Sequence, residues 1–146
     1  MAQTRAEISR VVRRLLRVVP DVHAALAREV GVGVKDLLAL DHLSASPSPE
    51  GVVDLGHRLG MTSASATVLV DRLVRAGHVA RGSHPTDGRR TTLSLSVHAQ
   101  DEVRSALTPL IEDLAAITAR LDEEQSAAVL SFLEDLNQAL LRFAAS

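Results

Sequence analysis

Ser63, Ser65, Thr67 and Val68 stand within six residues of one another, and the chain offers no better-placed group for chemistry. Their hydroxyls can bond phosphate oxygens or base edges, and a valine can meet a thymine methyl. Arg72 and Arg75 follow within two turns and can pair with phosphates or with acids inside the protein. Arg89 and Arg90 come next, directly after the turn signal Asp87-Gly88. Arginines at a loop tip can probe a narrow, A·T-rich minor groove, where the potential is most negative. The set suits binding a polyanion, not breaking bonds. No phosphate-binding glycine loop, nucleophile elbow or His-Glu-x-x-His motif is present, and the late carboxylates are spaced like solvated faces. The chain is not expected to be an enzyme.

The flanking residues must position these groups. Thr62 can cap a helix start and Gly77 can close its end in a left-handed conformation. Between them Ala66, Leu69, Val70, Leu73 and Ala76 share one side, while Ser63, Ala64, Thr67, Val68, Asp71 and Arg75 share the other. Upstream, Val52 to Leu59 gives a two-turn helix with Val52, Leu55 and Leu59 inward, and Gly60-Met61 turns the chain. Two helices joined by a tight glycine turn form a helix-turn-helix. Downstream, His78 to Arg81 and Thr91 to Ser96 read as strands, the second with Leu93 and Leu95 inward. The loop Gly82 to Arg90 joins them into a hairpin with arginines at its tip. The predicted architecture is mainly α with a small β-hairpin wing, a winged helix-turn-helix plus a helical dimerisation region.

The residues Val70-Asp-Arg-Leu73, Ala76-Gly-His-Val79, Asp87-Gly-Arg-Arg90 and Leu93-Ser-Leu-Ser96 resemble the MarR family of bacterial transcription regulators. The resemblance covers about Val34 to Phe143. It implies that Arg89 enters the minor groove and that Asp87 holds the wing in shape. It also implies repression as the default, and a small-molecule effector that releases DNA. In the family that effector is usually an aromatic or phenolic acid, held between the dimer helices and the winged domain, where His42 could meet it. Phe132 and Phe143 are the only aromatic rings, so the ligand residues stay unknown. Val68 departs from the family, which often has a groove-reading arginine there. Valine cannot make the bidentate guanine contact, so reliance should shift to the wing and to DNA shape, unless Val68 simply packs on a neighbour. Gly56 stands where the family usually has alanine and should weaken its helix by about 1 kcal/mol. Ala99 replaces a common glycine.

The rest of the chain supplies helices and charge. The net charge is −2, unevenly distributed: +4 over residues 1–20, −3 over 21–60, +3 over 61–100 and −6 over 101–146. The positive blocks are the N-terminal helix and the winged segment, and the acidity of the C-terminal pair of helices would keep that pair away from DNA. Arg5 to Val19 has Ile8, Val11, Val12, Leu15 and Leu16 on one face and Arg10, Arg13, Arg14 and Arg17 on the other. That arginine face reads as solvated beside a dimer seam, with a phosphate or membrane-surface contact as the alternative. Pro20 should kink or interrupt this helix, Asp21 to Glu29 resume it, and Gly31-Val-Gly33 end it. Val34 to Leu43 offers Leu37, Leu38, Leu40 and Leu43 to a core.

After the wing, Val97 to Leu121 carries an apolar stripe with Pro109 bending it early, and Asp122 to Gln125 forms a capping box for a last helix. These stripes exceed what a winged domain needs, and with the resemblance they point to a homodimer. The domains are therefore drawn as 1–33 for N-terminal dimerisation, 34–96 for DNA binding and 97–146 for C-terminal dimerisation.

Two recognition helices on a two-fold axis would enter successive major grooves roughly 34 Å apart, so the operator should be palindromic. The partner is double-stranded DNA. The alternative is a helical dimeric adaptor whose winged segment binds protein. No cysteine is present, and among His23, His42, His57, His78, His84 and His98 no two stand four apart, so no metal or other cofactor is expected. No apolar run of membrane length or leader-like start occurs, and a cytoplasmic location is expected.

Overall fold

The computed structural model describes residues 1–146, with six helices and one hairpin in the order α1 (Ala2–Val30), α2 (Val34–Ala45), α3 (Val52–Arg58), α4 (Ser63–Arg75), β1 (Val79–Ser83), β2 (Thr91–Leu95), α5 (Val97–Thr118) and α6 (Glu123–Ala144). It forms two compact units, Met1–Ala106 and Leu107–Ser146.

The first unit is organised by one apolar cluster. Ala39 and Leu40 of α2, Leu55 of α3, Leu69, Val70 and Leu73 of α4, Val79 of β1 and Leu93 of β2 are buried together. Leu43, Val52, Leu59, Met61, Val74 and Leu95 close its rim. Leu37 is buried as expected, whereas Leu38 is only half-buried. The strands pair antiparallel, with Val79 opposite Leu95, Arg81 opposite Leu93 and Ser83 opposite Thr91. Glu50 adds a single bridge on the other side of β2, where the Leu93 amide donates to its carbonyl at 2.8 Å.

Most element ends shift by one to three residues from the sequence expectation, and three departures have a local reason. Helix α1 runs through Pro20 without interruption. Pro20 faces solvent, so water can satisfy the carbonyl that loses its helical donor. Strand β1 begins at Val79 because the His78 amide still donates to Leu73 O at 2.9 Å, closing the preceding helix; it then extends to Ser83. Helix α5 stops at Thr118, before Leu121. The Thr118 hydroxyl donates to Leu114 O at 3.0 Å and Ala115 O at 3.1 Å, bonds that compete with the helix ladder. Pro109 lies at the middle of α5, not early in it.

The second unit consists of the later part of α5 and all of α6. The capping box is present: Gln125 N–H donates to Asp122 Oδ1 at 2.8 Å, and Asp122 N–H donates to Gln125 Oε1 at 3.1 Å. Helix α6 buries no residue, and Val129, Leu130, Phe132, Leu133, Leu141 and Phe143 are exposed. No helix is long and apolar enough to cross a membrane.

Candidate nucleic-acid interface

Helix α4 is held with one face shut and one face open. Thr62 caps it, its hydroxyl oxygen accepting from the Ser65 amide at 3.2 Å. Gly77, at φ 76, reverses the chain after it, a conformation that a side chain would oppose. Ala66, Leu69, Val70 and Leu73 are buried against the neighbouring elements. Ala76, grouped with them by periodicity, is exposed: it keeps a helical conformation as the cap residue, but the neighbouring elements do not cover that last turn.

The outward side is available for contact. Ser63, Ala64, Ser65, Thr67 and Val68 are all exposed. Val68 is 59% exposed, so it does not pack on a neighbour. The Thr67 hydroxyl donates to Ser63 O at 2.9 Å and keeps its lone pairs for a donor outside the protein. Ser65 Oγ accepts from Thr62 Oγ1 at 3.0 Å and keeps its own proton to give.

The arginines divide by what holds them. Arg72 is engaged inside the protein: its Nε donates to Asp36 Oδ2 at 3.0 Å and its Nη2 to Asp36 Oδ1. Asp36 is buried, and its hydrogen bond and charge raise the Arg72 pKa further. Of the two roles open to Arg72, the pairing with an internal acid is present, while about half of its side chain stays exposed. A bidentate pair of this kind anchors α4 to α2. Arg75 is exposed, tethered only by its Nε to Asp71 O at 3.3 Å. Asp71 itself accepts from Arg81 Nη2 at 2.6 Å.

The wing is shaped by its own backbone. Asp87 Oδ1 accepts from the Arg89 amide at 3.1 Å, and Asp87 O from the Arg90 amide at 3.0 Å. Arg90 reaches Asp54 of α3 at 3.8 Å, whereas the Arg89 guanidinium has no protein partner and faces water.

Three contributors were not singled out from sequence. His84 Nδ1 accepts from the Thr86 and Asp87 amides, each at 3.3 Å, and so braces the wing turn from within. Lys35, the only lysine, lines a shallow depression with Met61, Ala64, Ser65, Val68 and Arg72. It adds a cation to the open face of α4 that only the folded arrangement of α2 reveals. Asp54 positions Arg90, a link between helix and wing that no linear spacing signals.

A short helix, a glycine turn, a second helix with an open polar face and a hairpin beside it define a winged helix-turn-helix protein. The MarR family profile matches residues 30–90. The chain is 33% identical over 112 residues to YcgE of Bacillus subtilis, an uncharacterized HTH-type transcriptional regulator, covering 76% of this chain and 71% of that one. The protein belongs to the MarR family. Its fold is shared by a MarR family protein from Bacillus stearothermophilus, at TM-score 0.73 and 20% identity over 97% of this chain and 98% of that one. It is also shared by an S. aureus MepR mutant bound to an oligodeoxyribonucleotide, at TM-score 0.60 and 17% identity over 91% of this chain and 97% of that one.

Proposed function

We propose that the protein is a sequence-specific DNA-binding repressor, acting in the cytoplasm as a homodimer on a palindromic operator and released by a small-molecule effector. Residues 34–96 read the DNA, and residues 1–33 and 97–146 supply the dimer. The role is binding, not catalysis. One observation carries the reading: the open face of α4, Ser63, Ser65, Thr67 and Val68, lies in the same winged module as an arginine, Arg89, that no protein group engages. Ser63, Ser65 and Thr67 would hold phosphates or base edges, with Val68 against a thymine methyl. Arg75 and Lys35 would contact backbone phosphates, and Arg89 would enter the minor groove. Arg72 contributes by keeping α4 in place against Asp36, and Asp87 by shaping the wing.

Fluorescence anisotropy tests this on the DNA flanking the gene, against a scrambled duplex, across a salt series. Tight binding to the native duplex alone, weakening steeply with salt, is expected. Arg89→Ala should lose about 1–3 kcal/mol and relax preference at the minor-groove positions. Arg90→Ala should weaken all duplexes alike and reduce the salt slope by about 1. Failure to bind either duplex at low salt, with both variants functionally silent, would instead support a protein-binding adaptor. A ligand screen scored by loss of anisotropy tests effector release.

A further inference from the structure

We infer that His78, His98 and Glu102 form a binding site for a divalent transition-metal ion of the zinc class. The three come together only in the fold: His78 sits between α4 and β1, and His98 and Glu102 lie four residues apart in the first turns of α5. One ligand atom from each lies within 4.8 Å of the other two. His78 Nε2 meets Glu102 Oε2 at 2.8 Å, and His98 Nε2 meets Glu102 Oε1 at 3.4 Å. The two imidazoles stack, centroids 5.6 Å apart and planes 8° apart, and each presents its Nε2 toward the same carboxylate. Ions of this class bind nitrogen and oxygen ligands at about 2.0–2.2 Å, so small side-chain rotations would place one ion among the three.

Rigidity and access both favour the site. The His78 backbone is fixed on both sides, its amide donating to Leu73 O and its carbonyl accepting from the Ser96 amide, each at 2.9 Å. Its ring is buried, and Nδ1 has no hydrogen-bond partner. His98 is exposed and Glu102 half-exposed, which leaves an open path for an ion and room for water as a further ligand. Two imidazoles with one carboxylate suit zinc, nickel or cobalt better than magnesium or calcium, which prefer all-oxygen sets. An ion held there would fasten the end of α4 to the start of α5. The i, i+4 ligand spacing was present in the sequence as His98-x-x-x-Glu102, outside the histidine-only pairs.

The test uses the full chain without an affinity tag, stripped by chelator and titrated with zinc and, separately, with cobalt as a spectroscopic probe. One ion per chain is expected, with a cobalt absorption band of nitrogen–oxygen character and a melting temperature that rises with zinc. His98→Ala and Glu102→Gln, both at solvent-accessible positions, should stay folded by circular dichroism and lose the ion. Losing a residue that merely orients a ligand weakens metal affinity about 10–100-fold, so the loss here should exceed that. His42→Ala and His84→Ala should bind as the parent does. Absence of binding by the parent, or equal binding by the His98→Ala/Glu102→Gln double variant, would overturn the site.

Discussion

Leu69 of α4 and Leu133 of α6 both lie on the apolar stripe of an amphipathic helix, yet the first is 2% exposed and the second 50%. Helix α4 finds α2, α3 and the hairpin of its own chain around it, and its stripe is shut. Helix α6 buries nothing, although Val129, Phe132, Leu133 and Leu140 repeat with the same helical period. The lower part of α1 behaves like α4, with Ala27 and Val30 buried, while its upper turns leave Ile8, Leu15, Leu16 and Val19 open like α6. One chain therefore completes its winged module and leaves its terminal helices unfinished. Apolar helix faces left this exposed commonly mark association sites. The proposed second copy is the covering that the symmetry of a palindromic operator would require.

The largest effect should come from breaking the unfinished side. Leu133→Glu places a charge on the open stripe, where it would be buried against a partner at prohibitive desolvation cost. Sedimentation should find the parent as a two-chain species and the variant as a single chain. The parent's melting temperature should rise with protein concentration, as association demands, and the variant's should not. A parent that sediments as one chain would erase the contrast between the two helices.

The next effect sharpens the comparison from the finished side. Leu55 of α3 is fully buried in the cluster. Leu55→Ala should cost about 2–5 kcal/mol, through lost burial and the cavity left behind. The loss should appear as a lower urea midpoint with an unchanged slope, at every protein concentration. If the loss vanished at high concentration, the core of the winged module would itself depend on the partner.

The same contrast explains what could be read from the chain alone. Periodicity found α4 and the burial of Leu69, Val70 and Leu73, because helical spacing and a threonine cap are local signals. It located the hairpin through Asp87-Gly88 and the alternation of Leu93 and Leu95. It could not tell that Ala76 would stay uncovered, since that turns on which elements pack over the last turn of α4. Nor could it choose between the roles of Arg72, because Asp36 lies 36 residues away in sequence. His84 as a wing brace and Lys35 beside Ser65 are likewise products of tertiary placement. Proline disfavours a helix interior by its intrinsic chemistry, but at solvent-facing Pro20 the long helix α1 absorbs that effect. Stripes on α6 are legible as apolar, but whether the proposed second copy covers them depends on a partner that no single sequence displays.

The smallest effect concerns Gly56, where local and tertiary arguments give opposite signs. By helix propensity alone, Gly56→Ala should stabilise α3 by about 0.8–1.0 kcal/mol. A Cβ built at Gly56, however, would lie 2.9 Å from Ala66 Cβ, inside any normal contact distance. Both residues are buried, Ala66 on the shut face of α4, so the strain cannot be relieved by turning a flexible side chain outward. Overpacking of this kind costs about 1–3 kcal/mol, which outweighs the propensity gain. Gly56→Ala should therefore lower the urea midpoint modestly, and by pushing α3 from α4 it should also weaken DNA binding in the anisotropy assay. Ala66→Gly alone should destabilise too, through lost propensity and a lost methyl. Together the two changes return one methyl to the same gap, so the double variant should be more stable than the sum of the singles predicts, a coupling that the cycle measures directly. Simple additivity would mean that the glycine is an ordinary helix weakness and that the close approach of α3 to α4 does not constrain the recognition helix.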